Sequence, residues 1–336
     1  MDAPRSFWDH ILKPFKFPNP YNWGYPVFYG ALGFIASYFL LKLLFAGTFP
    51  FSSTSLIGCA IIVIFIVMFA FVAPSVIIAE KCGLYITGRY TGIGALILSF
   101  LSGAPLYLIK ASFHNLSLAL WLRNGGSVIF PAVFYHVGEV SGPLLLLEIL
   151  VDTIIPAFGF SLFFLGAIWQ GFPEKKKNLA FIVIPLLIAA FSFDFMNLPA
   201  ILVIGWWLCK LRNHTENIYG PILALIGARL TGIFVGSIVN ELDLTTIRVY
   251  SDIPTTIYFA SVPALVVALI LLAFFRKTLG EFHFAYSADI YGDNRQPDVK
   301  DGGKAGGLLK GINIALVLGI IILLILWIVL LKGVRI

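Results

Sequence analysis

Residues 311–331 read GINIALVLGIIILLILWIVLL, closed by Lys310 on one side and Lys332 on the other. The run holds no charged side chain. About 20 apolar residues are needed to carry a helix across hydrocarbon. In lipid the backbone can satisfy its own polar groups only as a helix or a closed barrel. A barrel would show short segments of alternating polarity, and this run is apolar but for Asn313. Similar runs recur upstream, at 25–47, 55–79, 91–111, 140–171, 178–196, 198–211, 218–240 and 255–275. Together they predict an all-α, polytopic transmembrane helix bundle of nine segments, with the 311–331 helix added at the C-terminal end.

Composition agrees. The 336 residues are 59% hydrophobic and 12% charged, where a soluble domain carries roughly 25% charged residues. So few charges cannot cover a globule in water. Cys59, Cys82 and Cys209 are scattered and suggest no disulfide framework, and the five histidines show no helical metal-binding spacing. No cofactor is implied. The net charge of +6 sits in loops beside spans, which fits attraction to lipid headgroups and not nucleic acid.

Four parts follow. Residues 1–24 form an interfacial segment rather than a signal peptide, with Trp8, Trp23 and both charge signs. Residues 25–275 form the bundle. Residues 276–310 form a polar loop whose second half is rich in Gly and charge, and residues 311–336 the last helix. The fourth segment is too long for one straight crossing, and Pro143, Pro156, Gly159 and Gly166 predict a kink or two half-helices. Met196-Asn197-Leu198-Pro199 reads as a tight break, with Asn197 and Pro199 suited to start a helix. Residues 112–139 read as an interfacial stretch. Trp23, Trp206 and Trp207 suit interfacial belts. With the N-terminus inside, inside segments hold sixteen Lys and Arg and outside segments five. That imbalance predicts a cytoplasmic N-terminus, in a membrane of the bacterial cytoplasmic type.

Between 144 and 240 three blocks stand out: Leu144-Leu-Leu-Leu-Glu148 leading to Ile155-Pro-Ala-Phe-Gly-Phe-Ser-Leu-Phe-Phe-Leu-Gly166; Phe191-Ser-Phe-Asp-Phe-Met-Asn197; and Tyr219-Gly-Pro-Ile-Leu-Ala-Leu-Ile-Gly-Ala-Arg229. Together they resemble the CPBP family of intramembrane metalloproteases, which includes CAAX prenyl endopeptidases. Pro156, Ala157, Leu162, Phe164 and Gly166 match its first motif. The resemblance implies a CPBP-like core but argues against the reaction. The family's paired glutamates fall on Phe160 and Ser161, its arginine on Leu165, its histidines on Phe195 and Leu225, and its asparagine on Arg229. A metal needs lone pairs on fixed ligands, and Phe and Leu offer none. Phe191, Phe193 and Phe195 are expected to fill the cavity that results.

Ionisable groups inside spans are costly and mark functional candidates. Here they are Lys42, Glu148, Asp152, Asp194 and Arg229. Glu148 and Asp152 share a helical face, and Arg229 is the only cation deep in the second half of the bundle. The expected polar network is Glu148, Asp152, Asp194 and Arg229. It either lines a cavity for an ion, proton or headgroup, or holds helices in register as buried ion pairs. Asp194 could equally be a surface residue at the helix break. His114, His136 and Glu139 are read as interfacial groups, not metal ligands. The leading expectation is a catalytically silent, CPBP-like protein that binds: a subunit or scaffold with a protein partner in the bilayer, or a holder of a hydrophobic peptide or lipid. The alternatives are a hydrolase using displaced groups such as Glu148, Asp152 and His136, and a transport component with a charged pathway.

Overall fold

The computed structural model describes residues 23–45, 51–53, 56–82, 86–88, 91–131, 133–135, 143–172, 177–236, 238–290 and 314–331. His136, Glu139, most of the N-terminal segment and the Gly-rich half of the polar loop lie outside them. The fold is an all-α bundle. Helix α1 spans Gly24–Phe45, α3 Ile93–Leu101, α4 Gly103–Arg123, α6 Lys177–Ser192, α7 Leu198–Thr215, α8 Tyr219–Val235, α9 Thr256–Ile290 and α10 Ile314–Leu331. Two longer helices change pitch on the way. Helix α2 passes from Leu56–Ile66 through a π stretch, Val67–Val72, into Ala73–Cys82. Helix α5 runs Pro143–Ile149, a π stretch Leu150–Ile154, Ile155–Phe160 and a second π stretch Ser161–Ile168.

Six of these helical runs are long and apolar enough to cross a membrane: Gly24–Leu44, Leu56–Glu80, Ile93–Arg123, Leu144–Ile168, Thr256–Glu281 and Ile314–Leu331. The chain is a multi-pass integral membrane protein. Helices α6 and α8 are shorter, 16 and 17 residues, or roughly 24–26 Å at about 1.5 Å per residue.

Prolines accompany two of the three pitch changes. Pro74 and Pro156 each lie just beyond a π stretch. A helical proline lacks an N–H and crowds the carbonyl four residues back. A π turn relieves this by widening the ladder. Of the kink or two half-helices expected of the fourth segment, the structure has one continuous helix with altered pitch. The helix break lies at 193–197, between α6 and α7.

Three expectations are corrected. Residues 112–123, expected to stand apart from the preceding span, are the last turns of α4, which runs to Arg123. No breaker occurs before Gly125, and the polar face of this part finds partners described below. Residues 276–290 continue α9 rather than opening the loop. Trp207 is not interfacial: it is 1% exposed and its Nε1 donates to Ser102 Oγ at 3.0 Å, across the α3–α4 joint.

Helix α1 crosses α2 closely. Ser37 Oγ donates to Gly33 O at 2.8 Å and lies 3.2 Å from Phe65 O. A Cβ at Gly33 would lie 1.9 Å from Phe69 O, so only glycine permits this approach. Helix α10 packs on the chain's own body, along α1. Its Trp327 Nε1 donates to Ala190 O at 2.8 Å, and its indole meets Phe193 at 5.6 Å. Two three-residue strands, Phe51–Ser53 and Val133–Tyr135, pair in parallel at one end of the bundle. At the other end Gly88 bridges to Asn217, and Trp23 stacks on Phe172 at 5.3 Å.

Candidate functional site: a charged belt on three helices

Helix α5 presents Glu148 and Asp152 one turn apart, on the side that meets α8. Helix α8 brings Arg229 against them. Its Nη2 lies 2.7 Å from Glu148 Oε1 and 2.9 Å from Asp152 Oδ2. The side chains are 34%, 20% and 11% exposed in that order, so one guanidinium nitrogen joins two half-sheltered carboxylates. Asp152 also accepts from the Thr153 hydroxyl at 2.5 Å. Arg229 Nε is buried without a hydrogen-bond partner. Arg229 lies six residues before the end of α8, roughly 9 Å along the axis at about 1.5 Å per residue. The pair therefore sits inside the helical layer.

A second set of polar groups continues the belt on α4. Tyr107, Lys110, His114 and Asn115 follow a 3-4-1 spacing that a helix gathers on one face. They grip the extended strand of chain that leaves α8. Tyr107 donates to Val239 O at 2.8 Å, and Asn115 Nδ2 to Asn240 O at 2.9 Å. Asn115 Oδ1 accepts from Leu242 N at 2.9 Å. His114 Nε2 lies 3.0 Å from Leu242 O. A carbonyl can only accept, so Nε2 carries a proton; Nδ1 is buried without a partner. Lys110 Nζ pairs with Glu241 Oε1 at 2.9 Å. Backbone outside a helix needs such partners, and the strap finds them for both polar groups of Val239 and of Leu242 and for the Asn240 carbonyl.

Burial draws the Glu241 carboxyl upward, but the charges of Lys110, His114 and Arg229 together hold it below the usual carboxylate range. The triad and the strap thus share one field: Arg229 acts on Glu241, and Lys110 acts on Asp152 and Asp194.

The polar residues singled out in the sequence divide. Glu148, Asp152 and Arg229 come together. Asp194 is not bonded to them. Its carboxylate accepts from Asn197 N at 3.2 Å and Asn197 Nδ2 at 2.7 Å, closing its own turn. Asn197 stands before α7 but makes no side-chain cap. Lys42 is exposed beside the Tyr38 ring, 6.0 Å from its centroid. Among the described residues no group of three His, Cys, Asp or Glu is placed to hold a metal. Tyr107, Lys110, Asn115 and Glu241 were missed as a site. The spacing on α4 was the available signal.

Apart from Arg229, the positions that the resemblance assigns to catalysis sit elsewhere. Phe160 belongs to a five-ring cluster with Phe71, Phe163, Phe164 and Phe191, where neighbouring centroids such as Phe160–Phe164 lie 4.7 Å apart. Ser161 is buried, its Oγ without a partner, and Leu165 is fully buried. Leu225 packs partly buried beside Leu162 and Ala157. Phe195 turns away and meets Trp121 edge-on at 5.0 Å. The three phenylalanines expected in one cavity thus take three places: Phe191 in the ring cluster, Phe193 against Phe34 and Trp327, Phe195 against Trp121. Phe193 has a positive φ of 47°; the chain turns there, which separates their directions.

No family model, curated protein or solved structure matches this chain.

Proposed function

We propose that this chain is a membrane-embedded binding protein without catalytic chemistry of its own, on a framework similar to that of the CPBP family. It serves as a subunit or scaffold of a membrane complex, or holds a hydrophobic peptide or lipid. One observation carries the reading. Of the side chains at the family's ligand and base positions, Phe160 packs in the ring cluster, Phe195 against Trp121 and Leu225 beside Leu162 and Ala157. Side chains without lone pairs cannot hold a metal ion. The carboxylates that a displaced mechanism would use, Glu148 and Asp152, already accept from Arg229. Neither is held free over a substrate. The same reading places the N-terminus on the cytoplasmic side of a bacterial membrane, on the asymmetry of Lys and Arg.

The test uses the full chain purified in mild detergent. Hydrolysis of prenylated and of hydrophobic peptides is followed with and without chelator, beside metal analysis and identification of co-purifying molecules. The expected result is no chelator-sensitive cleavage, less than about one-tenth of an equivalent of zinc, and a stoichiometric protein, peptide or lipid. Cleavage that chelator abolishes overturns the proposal. Reporter fusions in the 173–176 connection test the orientation separately.

A further inference from the structure

Helix α7 ends in Cys209-Lys210-Leu211-Arg212-Asn213-His214-Thr215. Lys210 points outward, its Nζ 4.1 Å from the Phe181 ring centroid. Arg212, two residues on, points inward and is 3% exposed. It is more deeply buried than Arg229, although it stands at a helix end. Its Nε donates to Leu165 O at 2.8 Å. Leu165 lies in the second π stretch of α5, where the widened ladder makes a carbonyl available to a donor from another helix. On the other side the guanidinium rests on the backbone of Gly88. A Cβ there would stand 2.8 Å from Arg212 Nη1 and 2.1 Å from Glu216 O, and φ is +85°. Glycine is what lets the guanidinium reach this position.

A guanidinium has five N–H donors, and one of Arg212's is used. Nη1 and Nη2 make no hydrogen bond or ion pair with any described residue. Glu216 acts on Arg212 through its charge but forms no ion pair with it. The nearby acceptors are occupied: Thr215 O takes the Thr91 hydroxyl, Leu211 O takes Thr215 Oγ1, and Asn217 Oδ1 takes the N–H groups of Tyr219 and Gly220. Arg212 is thus a largely buried cation that the fold holds at Leu165 and whose Nη1 and Nη2 meet no acceptor among the described residues.

We propose that Arg212 is an oxyanion-binding site that takes a phosphate group, with Nη1 and Nη2 forming the two-pronged contact that a planar guanidinium makes with phosphate oxygens. The position supports phosphate. Arg212 stands at the end of the bundle where Lys177, Lys210 and Arg276 also lie, and basic clefts between helices at such an end meet phospholipid headgroups. The phosphate belongs either to an anionic phospholipid or to a free ion. Glu216 opposes it and sets its affinity.

The experiment uses the full chain in nanodiscs and reads the melting temperature by tryptophan fluorescence. Inorganic phosphate is titrated in phosphatidylcholine discs at constant ionic strength. In parallel, phosphatidylglycerol discs are compared with phosphatidylcholine discs without phosphate. A rise in melting temperature with phosphate identifies the free ion; a rise only in phosphatidylglycerol identifies the headgroup. In either arm Arg212→Gln should abolish the shift, Arg212→Lys should weaken binding about tenfold, and Glu216→Gln should tighten it several-fold. If Arg212→Gln fails to fold, the opposite changes in Arg212→Lys and Glu216→Gln still decide. No shift in the wild type with either probe overturns the proposal. So does a shift of equal size in the Arg212 variants, which would leave Arg212 a purely structural tie to Leu165.

Discussion

Arg229 and Arg212 stand on neighbouring helices, α8 and α7, and both are drawn away from water, but the fold satisfies them differently. Arg229 meets two carboxylates at 2.7 and 2.9 Å and keeps a third of its side chain exposed. Arg212 is 3% exposed and meets a single backbone carbonyl. The first is part of a closed charge group that ties α5 to α8. The second is a charge that the fold shelters but does not answer. Depth along a helix therefore says little about how buried a charge is. What surrounds the helix end decides.

The contrast predicts unequal costs. Arg229→Met leaves Glu148 and Asp152 facing each other without a cation. Breaking one side of a buried pair costs about 3–5 kcal/mol, and partial exposure here lowers that to about 2–3 kcal/mol. Reversible unfolding in bicelles should show this loss. The triple variant Arg229→Met, Glu148→Gln, Asp152→Asn should recover most of it, because the repulsion goes with the charges. A triple variant no more stable than Arg229→Met alone would mean that the triad is held by packing and not by charge.

Asn115 comes next. It is fully buried and satisfies Asn240 O and Leu242 N at once. Asn115→Leu strips the strap of both contacts, and an unmet buried polar group costs about 1–3 kcal/mol. Amide exchange should rise first across residues 239–242. Arg212→Met should cost less, about 1 kcal/mol, since it strands only the Leu165 carbonyl and removes a buried charge with it. An Arg212→Met variant less stable than Arg229→Met would invert the comparison.

Much of the fold was legible because lipid leaves the backbone few choices. Nine apolar runs had to be helices, and the break near Met196 followed from Asn197 and Pro199. The end of α4 was misread for a specific reason. His114 and Asn115 look like interfacial residues when only their own segment is in view. Their partners, Asn240 and Leu242, lie more than a hundred residues downstream. The pairing of Phe51–Ser53 with Val133–Tyr135 was hidden in the same way. Within the site, Glu148 and Asp152 could be read as one face from their spacing, and Arg229 as their partner from scarcity. Asp194 could not be separated from them by hydropathy. The turn at 194–197 captures it locally. Arg212 carries no sign of its burial in the sequence, and only the π stretch of α5 and Gly88 show why it turns inward.

The smallest effect concerns pH, and it separates the strap from the triad. Glu241 titrates below the usual carboxylate range because Lys110, His114 and Arg229 outweigh its burial. Asp252 does so because the Arg248 and Val249 N–H groups bond its carboxylate at 2.9 and 3.0 Å. A carboxyl whose folded-state pKa is depressed adds stability above its unfolded pKa of about 4. That stability fades as pH falls through the lower folded value. The 238–252 segment should therefore loosen in mild acid, below about pH 4, while the helices stay protected. Half-exposed pairs such as Lys110–Glu241 contribute no more than about 1 kcal/mol, so the change should be local and reversible. Hydrogen exchange resolved by peptide at neutral and acid pH would read it. Glu241→Gln should remove most of the pH dependence around Val239–Leu242 and leave that around Asp252. If the strap and the α5–α8 contact loosened together in the Glu241→Gln variant at neutral pH, the belt would be a single cooperative unit. The division between an answered charge at one end and an unanswered one at the other would then have to be drawn around that whole unit.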